Sequence, residues 1–64
     1  MKDRYALTIA DETSNKRTCD GRRVTTLYYS ERRAAENAWN AYGNRPWAQL
    51  VDRYFDFTIR FRNV

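Results

Sequence analysis

The feature that most constrains this chain is a change of hydrophobic period along it. Near the start, Tyr5, Leu7 and Ile9 alternate with Arg4, Ala6, Thr8 and Ala10. Period two with aromatic and β-branched members predicts a half-buried strand over Arg4–Ala10. Near the end, Phe55, Phe57, Ile59 and Phe61 alternate with Asp56, Thr58, Arg60 and Arg62, which predicts a strand over Phe55–Val64. Between them Ala34, Ala35, Ala38, Trp39, Ala41 and Tyr42 fall at helical spacing, with Glu31, Arg32, Glu36, Asn37 and Asn40 mainly opposite. A chain of 64 residues has room for a single domain spanning 1–64.

The remaining segments fill in the order. Asp11 to Gly21 is polar and ends in the turn dipeptide Asp20-Gly21, so a loop is expected there. A tight hairpin at Asp20-Gly21, with Lys16–Cys19 as a short extra strand, is the other arrangement this stretch allows. Arg23–Tyr29 is dense in strand formers and should lie antiparallel to the first strand. The register that buries Leu27 sets Tyr5 against Tyr29, Leu7 against Leu27 and Ile9 against Thr25. Val24, Thr26 and Tyr28 then occupy the other face. Ser30 is the expected N-cap of a Ser30–Tyr42 helix and Gly43 its stop. After Pro46, the spacing of Trp47, Leu50, Val51 and Tyr54 predicts a short second helix.

The expected fold is therefore α+β and two-layered. It has a three-stranded, mainly antiparallel sheet, one main helix and a short second helix, in the order ββααβ. The Arg4–Ala10 strand should lie between the other two in a split β-α-β arrangement. Leu7, Leu27, Trp39, Leu50, Phe57 and Ile59 are the expected core. Trp39, Tyr42, Trp47, Tyr54, Phe55, Phe57 and Phe61 all sit at core spacing, leaving Tyr28 as the aromatic on the open face.

Composition narrows the chemistry. The chain has no His, so an imidazole base, a His-containing metal site and a His pH switch are excluded. Its one cysteine, Cys19, can make no internal disulfide and, without His, no structural zinc site. No apolar run approaches the length of a membrane span, and the segment after Met1 has no signal-peptide-like stretch. A cytoplasmic protein without membrane contact is the expectation. No Gly-rich phosphate loop and no nucleophile–base pair occurs, so a non-enzymatic protein without cofactor or metal is expected. The competing enzyme reading is a carboxylate–metal nuclease built on Asp11, Glu12 and Asp20. Cys19 lies between the basic pairs Lys16-Arg17 and Arg22-Arg23.

The basic residues say more. Net charge is +4, and ten of the twelve cations are Arg, which pairs with phosphate or carboxylate and stacks on rings. Alternation places Arg4, Arg60 and Arg62 on the open sheet face with Tyr28. The loop residues Arg17, Arg22 and Arg23 form a second rim beside Lys16. These seven, Arg4, Tyr28, Arg60, Arg62, Arg17, Arg22 and Arg23, are the expected partner-binding residues.

Two resemblances follow. The helix Ser30-Glu-Arg-Arg-Ala-Ala-Glu-Asn-Ala-Trp39, after a basic hairpin, resembles the sheet-plus-helix DNA-binding domains of plant ethylene-response regulators and phage-integrase arm-binding modules. It covers residues 4–42 and implies DNA read by a sheet face, but those domains end at the helix, whereas this chain continues. The strand–strand–helix–strand order over the whole chain resembles small phage proteins that inhibit bacterial RNA polymerase, and some anti-CRISPR proteins. Those often use acidic surfaces, and this chain is basic. The functional expectation is a phage or mobile-element accessory protein that blocks a host protein engaged in nucleic-acid transactions. The alternative is a small module that binds DNA directly through its basic sheet face and hairpin loop.

Overall fold

The computed structural model describes residues 3–63. Five elements follow one another: β1 (Tyr5–Ala10), β2 (Val24–Tyr29), α1 (Arg32–Tyr42), β3 (Trp47–Asp52) and β4 (Phe57–Asn63). The strands make one four-stranded sheet in the order β2-β1-β3-β4, each neighbouring pair antiparallel. Helix α1 links β2 to β3 on either side of β1 and packs on β1 and β2. The core lies between helix and sheet. Tyr5, Leu7 and Ile9 meet Ala48 and Leu50 beneath Ala35 and Ala38, with Tyr29, Trp39 and Ile59 at its margin. The alanines let the helix approach closely. Gly43 ends the helix: a Cβ there would stand 2.5 Å from the Trp39 carbonyl oxygen, which accepts the closing bond from the Gly43 N–H.

The expected β1–β2 register is the observed one, Tyr5 to Tyr29, Leu7 to Leu27 and Ile9 to Thr25. The helix starts at Arg32 after an N-cap position held by Glu31, which makes no side-chain cap, so Ser30 does not cap it. The Asp20-Gly21 hairpin forms, with Gly21 at φ 87°, but Lys16–Cys19 contributes only a single bridge, Arg17 to Arg23.

The three-stranded ββααβ expectation is overturned: the sheet has four strands and there is a single helix among the described residues. The segment expected as a second helix is strand β3. Its residues also fit period two, with Ala48, Leu50 and Asp52 buried and Trp47, Gln49 and Val51 on the other face. Pairing on both sides, to β1 and to β4, decides between the two periods for so short a run. The charged Asp52 disguised the alternation. It is tolerated because the Arg4 guanidinium meets it in a fork, Nε to Oδ1 at 3.0 Å and Nη2 to Oδ2 at 2.8 Å.

The last strand starts at Phe57, after a turn at residues 53–56, and contains a bulge. Across Leu50 and Val51 the partner steps from Arg60 to Thr58, so Ile59 is an extra residue. Two successive side chains then face one way, and everything beyond is reversed. Ile59 packs on the core as expected. Arg60, however, opposite Leu50, turns to the helix side, where its Nε donates to Glu36 Oε1 at 2.8 Å. Arg62, opposite Ala48, follows it, and Phe61 turns to the open face. Phe57 is 62% exposed rather than buried, because α1 lies over β1 and β2 and stops short of this corner. Leu27 and Trp39 are half-buried.

Candidate functional site

Helix α1 leaves the other sheet face open except at its loop end, where Val24 is buried, and the register fixes what lies on it. One row runs Tyr28, Ala6, Val51, Thr58; the next Thr26, Thr8, Gln49, Phe61. At the loop end Val24 stands beside Ala10 and Trp47 beside Asn63. None of these positions is Asp or Glu, whereas the helix side carries Asp52 and Glu36, each held by an arginine. The small residues Ala6, Thr8 and Ala10 keep the middle of the face low. The Thr8 and Thr26 hydroxyls share a hydrogen bond of 3.1 Å across it.

Aromatic rings stand around this floor. Tyr28 is 53% and Phe61 56% exposed. Trp47 is half-buried and meets Phe61 edge to face, centroids 6.0 Å apart. An arginine lies against two of the rings. The Arg22 guanidinium is 5.7 Å from the Trp47 centroid at the loop end, and the Arg53 guanidinium 5.1 Å from Tyr28 at the opposite corner. Arg53 is steadied by an Nη1 bond to the Asp3 carbonyl at 2.9 Å. Arg22 Nε is buried and has no hydrogen-bond partner among the described residues.

The face runs out at its loop end into a cavity of about 400 Å³ lined by Ala10, Asp11, Glu12, Arg22, Arg23 and Pro46. Beside it, Arg45 and Pro46 help line a second space of about 310 Å³. The loop is shaped by its own polar groups. The Asp11 carboxylate accepts from the Thr25 hydroxyl at 2.7 Å, and from the Thr13 hydroxyl and N–H at 2.7 and 3.0 Å. These bonds hold its pKa down to about 2, so it stays ionised and tempers the positive potential of Arg22 and Arg45 nearby. At the tip, the Thr18 hydroxyl and the Arg22 N–H hold the Asp20 carboxyl below the usual range, and the Thr18 N–H donates to the Arg22 carbonyl at 2.8 Å.

Of the seven residues expected at the contact surface, the structure puts Tyr28 on the open face and brings Arg22 to its border. Arg4 is not free on that face. It forks onto Asp52 and lies against the Tyr5, Tyr54 and Phe55 rings. That bond raises the Arg4 pKa and lowers that of Asp52, which also accepts from the Tyr54 N–H at 3.0 Å. Arg60 and Arg62 belong to the helix side, because the bulge at Ile59 reverses the strand beyond it. Arg17 and Arg23 are exposed and bridge each other by backbone at the base of the loop turn. Arg23 also donates from Nη1 to the Glu12 carbonyl at 3.4 Å.

Trp47, Phe61 and Arg53 are functional candidates that the sequence pattern did not single out. The alternation Trp47, Gln49, Val51 was present as a signal for the first, but nothing in the sequence marks the bulge that turns Phe61. Among the described residues no three of Asp, Glu and Cys gather as a metal site, Asp11, Glu12 and Asp20 included. Cys19 is a free, exposed thiol in the loop. No described helix is long and apolar enough to cross a membrane. Comparison with protein-family models, with curated proteins and with solved structures gives no match to this chain, so neither resemblance gains support from it.

Proposed function

We propose that this protein is a non-enzymatic module that binds nucleic acid through the sheet face left open by α1. The observation that carries this reading is the make-up of that face. It has no carboxylate, three aromatic rings, and arginines set against two of them at opposite corners. Arginine serves phosphate and base stacking with the same planar group, and rings give sequence-tolerant contact area. Arg60 and Arg62 drop to a minor role, since one is committed to Glu36 and both face the helix side.

The test is anisotropy of a labelled oligonucleotide at several salt concentrations. Arg22→Ala and Arg53→Ala should each weaken binding and flatten the salt dependence by roughly one unit of slope for every phosphate no longer neutralised. Arg60→Ala and Arg62→Ala, a matched pair of single charge removals, should change affinity far less. A larger effect from that pair than from the open-face arginines overturns the assignment of the face.

A second reading, blockade of a host protein by a phage or mobile-element factor, is favoured by one feature off this face. Tyr54, Phe55 and Phe57 at the β3–β4 turn are each more than 60% exposed, apolar surface of a kind that marks protein contacts. A stoichiometric partner that survives nuclease treatment and is lost with Phe55→Ser supports this second reading. A partner lost to nuclease supports the first.

A further inference from the structure

The open face differs from a groove-reading surface in shape, and the difference bears on which nucleic acid it takes. An element entering the major groove must fit a width of about 12 Å, enough for a helix or a two-stranded ribbon. Here the face is four strands wide, and at the usual strand spacing the axes of β2 and β4 lie about 14 Å apart before side chains are added. The narrow Asp20-Gly21 hairpin lies beyond the loop end of this face. The face's floor of Ala6, Thr8 and Ala10 is low, and the rings of Tyr28, Phe61 and Trp47 stand at its sides. In a duplex the π-faces of the bases are already stacked on one another. Only unpaired bases can offer theirs to a protein ring.

The two corners also match what a single strand presents. Each combines a ring with a cation, Trp47 with Arg22 and Tyr28 with Arg53, so each can hold a base against the ring and a phosphate against the guanidinium. By strand geometry the corners lie on a diagonal of about 16 Å, four residues along and two strands across. A flexible strand can follow such a diagonal over the low floor.

We infer that the open face takes single-stranded nucleic acid, with unpaired bases stacked at Trp47–Phe61 and at Tyr28 and phosphates at Arg22 and Arg53. The inference rests on the nucleic-acid reading proposed above and narrows it. Bases and phosphates are common to DNA and RNA, so both are used as probes.

The experiment uses a Trp39→Phe variant, shown by circular dichroism to fold, so that Trp47 is the one remaining tryptophan. Its fluorescence is followed while oligodeoxythymidylate, oligouridylate or a blunt DNA duplex of equal length is added at low salt. Anisotropy with the unaltered protein serves as a second measure that does not depend on the substitution. The expected result is quenching of Trp47 by both unpaired probes and binding of the duplex weaker by about tenfold or more. Trp47→Ala and Phe61→Ala in the natural background should each reduce single-strand affinity by about tenfold. If the duplex binds as well as the single strands, the inference fails while the nucleic-acid reading stands. Binding of single strands without a change at Trp47 places the contact elsewhere and also overturns it. If no probe binds at low salt, both fall together.

Discussion

The two faces of this sheet are made from the same four strands and have opposite characters. On the helix side two carboxylates are each held by an arginine: Asp52 by Arg4, Glu36 by Arg60. Leu7, Leu50, Ala35 and Ala48 there are wholly buried. On the open side the rings are left in solvent and the nearby arginines rest on aromatic faces instead of carboxylates. A protein this small gains stability by burying its aromatics. Leaving Tyr28 and Phe61 outside is therefore more informative than the net charge, which would be similar for any solvated basic protein. Under the proposed function the contrast divides stability from binding between the two faces, and that division can be attacked at several points.

The largest effect should come from neighbouring residues of β3 that face opposite ways. Leu50→Ala removes a fully buried side chain and should cost about 2–5 kcal/mol in denaturant unfolding. Gln49→Ala, one residue earlier on the open face, should stay within about 0.5 kcal/mol. Similar costs for the two would erase the distinction between the faces.

Acid should act mainly on the helix side and on the loop. Asp52 and Glu36 are held below their ordinary pKa by bonds from Arg4 and Arg60, and Asp11 is held down to about 2 by Thr25 and Thr13. The unfolded chain binds protons on these groups more readily. Their stabilisation is thus complete above the ordinary carboxylate range and is lost as pH falls through it towards 2. Urea midpoints between about pH 6 and pH 2 should fall steadily. Asp52→Asn should lower the midpoint at about pH 6 and make the decline shallower. A midpoint that rises on acidification would contradict the assigned ion pairs.

A smaller effect on stability, with a large one on binding, is expected on the open side. Phe61→Ser should cost no more than about 1 kcal/mol, because the ring is more than half exposed, yet it should weaken single-strand binding. A cost of several kcal/mol would mean that Phe61 belongs to the core after all.

How much of this was legible in the sequence follows from what disturbed the pattern. The pairing of β1 with β2 was, because one register sets Leu27 opposite Leu7 on the helix side. Helix α1 was, from its alanine stripe and Gly43. Strand β3 was hidden because Asp52, at a buried position, breaks an alternation whose partner, Arg4, lies 48 residues away. The open face was half legible: alternation gave Tyr28, and the loop charge gave Arg22. Its other half depended on the bulge at Ile59, a backbone event set by pairing with Leu50 and Val51 and carried by no residue type. That one extra residue exchanges Phe61 for Arg60 and Arg62, turning an expected basic face into an aromatic one.

The most direct measurement of the division between the faces is a heteronuclear NMR titration with oligodeoxythymidylate. The backbone and side-chain resonances of Thr8, Thr26, Tyr28, Gln49, Trp47 and Phe61 should shift together with the Arg22 and Arg53 side chains. Those of Ala35, Glu36, Ala38 and Arg60 should stay in place. Shifts concentrated on α1 and Arg60, with the open-face resonances unmoved, would contradict the assignment of binding to the open face.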